Sequence, residues 1–259
     1  MNEKTAQFSL RGLFQPRDLT EGTPWKTILA FALPIIISYL LQQVYTISDA
    51  AIVGQTLTAG EVAGVNDTTS IIFIFLQFAF GVSAGFCVVT AAEVGAHHEA
   101  GVRRSLAAQI LLSAALTVLL TGLALLLLKP MLAWINVTPE SPEVYRAAHT
   151  YCAIIFAGIG AQLFYNFICS FLRSMGDSVT PLLFLLFSTI LNIGLDLLFI
   201  VSFHWGVAGA AIATVAAQLI STVGCFLYAF IKYPKLRLHR EDWQVTLGDM
   251  RRHLGQGIP

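Results

Sequence analysis

The chain has 259 residues, of which 56% are hydrophobic and only 12% carry a charge, and its mean hydropathy is +0.72. Charged residues make up about a quarter of a soluble domain, so this composition indicates a protein surrounded by lipid. Fifteen Lys and Arg residues balance fifteen Asp and Glu residues. A chain without net charge gives no electrostatic reason to expect a nucleic acid as partner, and membrane lipid is the expected one.

The N-terminal region, residues 1–26, is polar and is predicted to be a cytoplasmic segment. The apolar run that follows is longer than the h-region of a signal peptide and lacks a convincing cleavage site, so we expect it to remain as a membrane span. The four cysteines lie in apolar stretches without CxxC spacing. We therefore expect packed thiols rather than a disulfide framework or a zinc site.

Six segments of the chain are long and apolar enough to cross a membrane. A spanning helix needs about 20 mostly apolar residues, because its backbone hydrogen bonds must all be made within the hydrocarbon. Gly and Pro residues separate the segments, as expected for turns. The sequence therefore predicts an all-α integral membrane protein whose transmembrane region, 27–232, is a six-helix bundle. Its spans are 27–54, 68–94, 105–128, 144–172, 179–202 and 207–231.

The distribution of basic residues predicts the orientation of these spans. If both termini are cytoplasmic, all but two of the fifteen Lys and Arg residues fall on the cytoplasmic side, and the exceptions are Lys129 and Arg146. An excess of basic residues in cytoplasmic loops is typical of membrane proteins. A multi-pass protein of the bacterial inner membrane, with both termini in the cytoplasm, is the prediction.

The last segment, 233–259, is predicted to be a cytoplasmic linker that contains an amphipathic helix. Within residues 239–254, apolar side chains recur at intervals of four, three and four, with charged residues between them; they are Trp243, Leu247, Met250 and Leu254. This spacing is typical of a helix that lies on a membrane surface. A solvated linker helix is the alternative.

Three carboxylates fall within or beside the predicted spans: Asp49, Glu93 and Asp196. Each charged residue inside a span costs roughly 2.5 to 3.5 kcal/mol, so each is a candidate for a functional site. Glu93 is expected to be interfacial, because a cytoplasmic cluster of His97, His98 and Arg103 lies next to it. The sequence His97-His98-Glu99 could bind a metal, but adjacent histidines point to different sides of a helix and a solvated loop is favoured.

Asp49 and Asp196 have no water-facing cation near them in the sequence and are predicted to share one layer of the membrane. At about 1.5 Å per residue, they lie roughly 8 and 9 Å from the outer ends of their spans, and Thr214 lies roughly 10 Å deep. Tyr45 and Asn192 each precede one of the carboxylates by one helical turn, so each pair shares a helix face.

These five residues, Tyr45, Asp49, Asn192, Asp196 and Thr214, are predicted to bind a cation or a proton. Hard oxygen ligands of this kind suit Na⁺. A buried pair of carboxylates also holds a proton readily, so the residues leave Na⁺ and H⁺ open. Carboxylates that merely hydrogen-bond to neighbouring helices are the structural alternative. No other cofactor is expected.

Other polar and helix-bending residues in the spans support weaker predictions. Pro34 in the first span is a candidate hinge, because proline removes a backbone hydrogen bond and kinks a helix; a fixed kink is the alternative. The glycines of the segment 81–85 are expected to serve close helix packing. Uncharged polar side chains that could line a substrate cavity are Gln42, Gln43, Gln77, Gln162 and Asn166.

Several short motifs, in this order, resemble the multidrug and toxic compound extrusion (MATE) family. The resemblance covers residues 24–232 and depends on the order and spacing of the motifs, since each alone is weak. They are Ala32-Leu33-Pro34, the run 49–54 that begins with Asp49, Arg173-Ser174-Met175-Gly176-Asp177 with Pro181, the run 191–196 that ends with Asp196, and the run 206–214 that ends with Thr214.

The resemblance implies a lobe of a twelve-helix transporter that exports organic cations and drugs in exchange for Na⁺ or H⁺. It places Asp49, Asn192, Asp196 and Thr214 on cation-binding positions of the N-terminal lobe, with Tyr45 beside them. The chain departs from the family in length, because it contains one lobe and ends at a sequence, 255–259, that is similar to the start of span seven. A second six-helix lobe is thus an expected partner, and we expect a fragment rather than a natural half-transporter that dimerises.

Three other functions are consistent with a polytopic chain of this kind. A flippase for lipid-linked oligosaccharides belongs to the same superfamily, but paired acidic residues favour cationic substrates. An intramembrane aspartyl protease would share a proton between two aspartates, yet its Tyr-Asp and Gly-x-Gly-Asp motifs are absent here, since Ser48 precedes Asp49 and Ile193 and Leu195 precede Asp196. A structural or assembly subunit is the third alternative.

Overall fold

The computed structural model describes residues 23–257, and they form a bundle of long helices. The predicted N-terminal segment lies outside the described residues except for its last four positions, and so do Ile258 and Pro259. The helices are α1 Pro24–Thr56, α2 Ala59–Gly95, α3 Glu99–Trp134, α4 Pro142–Ala157, α5 Ile159–Ser174, α6 Val179–Asp196, α7 Gly206–Lys232 and α8 Leu247–Gly257. A π-helical turn, Leu197–Ser202, extends α6, and two 3-10 turns, Pro234–Leu236 and Arg240–Trp243, precede α8.

Local sequence explains where several of these helices begin and end. α2 begins with a capping box, in which Thr58 accepts a hydrogen bond from the Glu61 amide and the Glu61 carboxylate accepts one from the Thr58 amide. Pro24 and Pro142 stand in the first turns of α1 and α4, where the missing amide hydrogen has no cost. Gly176 has a φ of 83° between α5 and α6, a conformation that glycine adopts without strain.

The described helices agree with the predicted spans. Five are long and apolar enough to cross a membrane, and a sixth span is obtained if α4 and α5 count as one. The predicted span 144–172 consists of two helices, because α4 and α5 meet at an angle of 46°. The bend is at Gly158, where any side chain would collide with Val215 of α7. The missing side chain of Gly158 lets Val215 of α7 approach the backbone closely at the position of the bend.

The core lies among α2, α3, α4 and α5, while α1 lies mainly against α6 at the edge. Phe86, Phe156 and Leu163 are fully buried in the largest apolar cluster. α1 exposes large apolar side chains such as Ile47 and Leu40, as a helix in lipid or facing another membrane segment does. α1 remains helical through Pro34, whose carbonyl accepts a hydrogen bond of 2.8 Å from Ser38 Oγ. Its role as a hinge stays a prediction.

The amphipathic helix of the C-terminal linker differs from the prediction in its start and in its position. It begins at Leu247 rather than near residue 239, and it packs against α2 instead of lying free along a surface. Met250 and Leu254 pack on the main apolar cluster, but Trp243 and Leu247 are exposed. The predicted apolar face is therefore buried in its second half only. His253, which hydrogen-bonds to Ser105 of α3, is buried as well.

Close packing of α8 depends on a glycine of α2. A side-chain carbon at Gly85 would collide with the backbone of Gln256 and Gly257. The packing role that we predicted for this glycine segment is thus confirmed for Gly85. Gly81, one turn earlier, has open space beside it.

Candidate functional site: a buried carboxylate pair

Asp49 on α1 and Asp196 on α6 are brought together in the structure, as predicted. Their carboxylates lie close enough to interact directly. Asp196 and Asn192, one turn apart on α6, are completely buried. The pair therefore joins the edge helix α1 to the rest of the bundle through two acidic groups.

Tyr45 and Thr214 complete the same layer. The Tyr45 hydroxyl donates to Thr214 Oγ1 over 3.5 Å, which connects α1 to α7. Tyr45 also interacts electrostatically with both carboxylates. Four of the five predicted residues are thus linked by direct interactions, and Asn192 lies on the same buried face of α6 as Asp196.

Most polar atoms of this layer have no hydrogen-bond partner among residues 23–257. They are Asp49 Oδ1, both carboxylate oxygens of Asp196, and both amide atoms of Asn192. A buried polar atom without a partner costs about 1–3 kcal/mol. Two carboxylates can hydrogen-bond to each other only when one is protonated. The arrangement therefore suits a group that supplies positive charge, either a proton or a small cation with oxygen ligands.

Tyr151 on α4 is a site residue that the sequence analysis missed. It interacts electrostatically with Asp49, Asp196 and Tyr45, and it packs against the apolar cluster around Val53. A tyrosine in an apolar helix is common, and nothing in its own neighbourhood marks it. Its position beside the carboxylates follows only from the packing of α4 on α7 and α2.

The predicted cavity residues are spread over α1, α2 and α5 and are not joined by side-chain hydrogen bonds in the described part of the chain. Gln43 and Gln77 are exposed, and the remaining three are partly buried. Their role in a substrate cavity stays a prediction.

Glu93 lies near the C-terminal end of α2 in an ion-pair cluster, and its interfacial role stays a prediction. Its carboxylate contacts His98 Nδ1 at 2.8 Å and accepts from Arg252 Nη1 at 2.7 Å. Arg103, which we expected near Glu93, pairs with Asp242 instead.

A second buried polar cluster lies near Glu93 and consists of Cys87, Thr90, Ser105, Gln109 and His253. His253 Nδ1 donates to the carbonyl of Asp249 at 2.8 Å, so its Nε2 accepts from Ser105 Oγ, also at 2.8 Å. Ser105 Oγ lies 2.8 Å from Thr90 Oγ1 and 3.1 Å from Gln109 Nε2. Cys87 donates to Gln109 Oε1 at 3.1 Å. We call this set the His253 cluster; it joins α8 to α2 and α3.

Asp177, from the motif 173–177, has a structural role at the start of α6. Its carboxylate accepts hydrogen bonds from Lys232 Nζ at 2.8 Å, the Tyr233 hydroxyl at 2.6 Å and Thr180 Oγ1 at 2.7 Å. Burial alone would raise the pKa of Asp177, but these bonds together hold it below its usual value. The motif therefore fixes α6 to the end of α7.

Comparison with known proteins identifies the family of this bundle. The family model described as MatE matches residues 34–198. The chain belongs to the MatE family. The probable multidrug resistance protein YpnP of Bacillus subtilis is 32% identical over 227 residues, which cover 85% of this chain and 48% of that protein. The probable multidrug resistance protein NorM of Thermotoga maritima is 26% identical, with coverages of 86% and 46%.

The MatE fold is also that of solved transporters. The outward-facing structure of a multidrug resistance MATE family transporter superposes with a TM-score of 0.83 at 24% identity, over 92% of this chain and 52% of that one. The chain thus spans about half the length of the proteins that it matches and corresponds to one lobe. MatE proteins are transporters rather than enzymes, which excludes the aspartyl protease, and their names favour drug transport over the flippase alternative.

Proposed function

We propose that this chain is the N-terminal lobe of a secondary active antiporter that exports organic cations and drugs in exchange for Na⁺ or H⁺. The observation that carries the proposal is the carboxylate pair of Asp49, which is partly buried, and Asp196, which is fully buried. Asp49 Oδ1 and both carboxylate oxygens of Asp196 are buried without a partner in the described protein. Buried acids at membrane depth are expensive and mark ion pathways. The names of the relatives support a drug as the exported substrate.

In the proposed mechanism, Asp49 and Asp196 share the coupling ion, and neutral oxygens from Asn192, Thr214 and Tyr45 complete its surroundings. With the ion bound, the attraction of both carboxylates to it holds α1 against α6. After its release, two like charges face each other in a medium of low dielectric constant and repel. Since α1 has few contacts with helices other than α6, it is the element most easily displaced.

Coupling follows if drug and ion favour different positions of α1. A ligand shifts a conformational equilibrium only by its difference in affinity for the two states. The ion favours the position in which α1 and α6 are joined, and an organic cation competes for the same negative charge when they separate. Pro34 lies in α1 and is the proposed hinge for this displacement.

The ion site can be tested without transport. Isothermal titration calorimetry of the purified chain with NaCl, at several pH values, should show Na⁺ binding or a proton release that Asp49→Asn and Asp196→Asn abolish. Glu241→Gln is the control, because Glu241 is exposed and distant in sequence from the site. Retained binding in both aspartate variants would refute the site.

Transport is tested by drug accumulation in an efflux-deficient bacterium. We would compare this chain with the same chain joined to a second six-helix lobe, using ethidium or norfloxacin. If only the two-lobe form lowers accumulation, the chain is a transporter lobe that needs its partner. If neither form lowers it, the proposed drug export is wrong and a structural subunit becomes the better interpretation.

The proposed location is the bacterial inner membrane, with both termini in the cytoplasm. The support is the strong asymmetry of Lys and Arg residues between the two sides. Reporter fusions after the ends of α2, α3 and α7 test this orientation. We expect the reporters after α2 and α7 in the cytoplasm and the reporter after α3 on the outer side.

A further inference from the structure

A cavity of about 450 Å³ lies where the end of α3 meets the start of α4, apart from the carboxylate pair. α4 contributes most of its polar lining, α3 contributes one lysine, and the connecting loop contributes a proline. The lining residues are Lys129, Pro139, Pro142, Tyr145, Arg146, His149 and Thr150. None of them belongs to the proposed ion site or to the proposed drug cavity.

The two cations of this cavity have no acidic partner in the described part of the chain. Lys129 and Arg146 take part in none of the ion pairs or side-chain hydrogen bonds formed by residues 23–257. The nearest acid in α4, Glu143, is engaged by Thr58 Oγ1 at 2.6 Å. Glu140 in the loop is exposed and does not line the cavity. The cavity therefore has an uncompensated positive charge.

The location of these cations is unusual for the chain. Lys129 and Arg146 are the two basic residues that the predicted orientation places on the outer side, where basic residues are disfavoured. They come from different helices, yet both line one cavity. The two basic residues that depart from the preference for the cytoplasmic side therefore lie in the same cavity. This is expected if both bind one anionic ligand.

The remaining lining residues add donors that suit a phosphate group. Tyr145 and His149 lie side by side, with ring centroids 6.1 Å apart, and Thr150 follows on the same helix. Lys and Arg bind phosphate through charge-assisted hydrogen bonds, and hydroxyl and imidazole groups can add to them. A volume of about 450 Å³ has room for more than a phosphate ion, so a glycerol group esterified to it also fits.

The surface beside the cavity is of the kind that contacts lipid. Trp134 at the end of α3 is 80% exposed, and Leu126, two turns earlier, is 81% exposed. Tryptophan is enriched at the level of lipid headgroups, and exposed leucines lie at the level of acyl chains. The lysine of the cavity lies between these two residues in α3, and its long side chain can extend toward the level of the headgroup phosphates.

We propose that this cavity binds a phosphate-bearing anion, and that in the membrane this anion is the headgroup of an acidic phospholipid. Lys129 and Arg146 neutralise the phosphate, while Tyr145, His149 and Thr150 offer hydrogen bonds to the phosphate or to the glycerol beyond it. The acyl chains then lie along α3 at Leu126. A lipid held there fastens the α3–α4 corner to one leaflet while other helices move.

Native mass spectrometry of the detergent-solubilised chain tests this proposal directly. The chain is titrated with phosphatidylglycerol or with phosphatidylcholine, and the bound lipid is counted. The variant combines Lys129→Gln with Arg146→Gln. The control combines Arg240→Gln with Arg251→Gln, which removes the same charge from two exposed residues near the other end of the bundle. Thermal unfolding of each protein shows that it is folded.

We expect the Lys129/Arg146 variant to bind phosphatidylglycerol about 100-fold more weakly, because it loses two charge-assisted hydrogen bonds, and the control to bind it like the original chain. Lys129→Arg should retain binding, because the charge is kept. Competition by inorganic phosphate or glycerol 3-phosphate at equal concentration would identify a free anion as the preferred source; no competition identifies the lipid. Equal losses in variant and control, or equal binding of both lipids, would overturn the proposal.

Discussion

Two buried polar clusters lie at opposite ends of this lobe, and their hydrogen bonding differs. Asp49, Asn192 and Asp196 lie near the end where α1 leads into α2, and five of their polar atoms have no partner in the described protein. The His253 cluster lies near the start of α3, and every side chain in it has a hydrogen-bond partner. Both clusters interrupt apolar packing. They differ in whether their polar atoms have hydrogen-bond partners, and this difference decides whether a cluster can bind an ion or a proton.

The satisfied cluster stabilises one arrangement of the helices, whereas the unsatisfied cluster can change its state. A complete network in a low dielectric environment specifies a single geometry, because any shift leaves a buried group without a partner. A pair of unpartnered carboxylates instead gains stability from an ion or a proton. Substitutions in the two clusters should therefore have opposite effects on transport and on stability.

The largest effect is expected at Asp196. In a two-lobe protein, Asp196→Asn should lower ion-coupled drug export by at least about 100-fold, the loss that corresponds to roughly 2.7 kcal/mol. The free energy of unfolding should be unchanged or higher, because a neutral amide replaces a buried charge without a partner. Everted-vesicle transport and thermal unfolding measure the two quantities. A variant that unfolds at a much lower temperature would show that the carboxylate is structural.

The next effect is a loss of stability at the centre of the His253 cluster. Gln109→Leu leaves Thr90, Ser105 and Cys87 without a shared partner and should lower the free energy of unfolding by about 1–3 kcal/mol. Gln109→Glu is an informative second variant, because it keeps the shape and loses the amide donor. Denaturation in mild detergent measures both. Equal stability of Gln109→Leu and the original chain would contradict the assigned network.

A smaller and local effect is expected at the contact between α2 and α8. Gly85→Ala places a methyl group against the backbone of Gln256 and Gly257, which cannot rotate away as a side chain would. Amide hydrogen exchange in α8 should accelerate several-fold while exchange in the core helices is unchanged.

Gly81→Ala is the matched control for this substitution, one turn away on α2 and with open space beside it. It should leave exchange in α8 unchanged and strengthen α2 by about 0.8–1.0 kcal/mol through helix propensity. If both variants accelerate exchange equally, the docking of α8 does not depend on Gly85.

The smallest effect is a dependence of α8 docking on pH. Burial lowers the pKa of His253 below its usual 6.5; Arg252 lowers it further, and Asp249 and Glu93 act in the other direction. A histidine with a lowered pKa contributes its full stability above about pH 6.5, and this contribution is lost as the pH falls through the pKa of the docked state. Protonated Nε2 could no longer accept from Ser105 Oγ.

Hydrogen exchange of α8, corrected for the intrinsic rate, should therefore show weaker protection at pH 5 than at pH 7. His253→Asn removes the titrating group and should flatten this dependence. A pH dependence that persists in His253→Asn would assign it to Glu93 and its neighbours instead.

The membrane architecture and the carboxylate layer were predictable because each depends on distances along a single segment of the chain. The length of an apolar run decides whether a segment can span the bilayer, and five to six spans were found where hydropathy placed them. The depth of a residue follows from its distance to the end of its span. Asp49 and Asp196, which are 147 positions apart (196 minus 49), were predicted to meet because they had the same depth, and the structure joins them.

Residues whose roles depend on lateral packing could not be found in this way. Tyr151 reaches the carboxylates because of how α4 packs beside α7 and α2, and helical spacing says nothing about which neighbours a face meets. His253 lies between the apolar positions of the predicted amphipathic helix, and nothing in that spacing marks it as buried, yet it is 2% exposed. Its Nε2 accepts a hydrogen bond from Ser105 Oγ. This contact with another helix cannot be read from the apolar pattern of the segment itself.

By itself the sequence determined that the chain is helical and that five to six of its segments can span a membrane, since length and hydropathy belong to each segment separately. The orientation of the spans and the depth of the ionisable groups stay predictions. The tertiary structure decided which faces meet: the bend at Gly158 where Val215 approaches, the docking of α8 on Gly85, and the cavity shared by Lys129 and Arg146. Such contacts join residues far apart in the chain. They depend on the complementary shapes and hydrogen bonds of two surfaces, which no single segment contains.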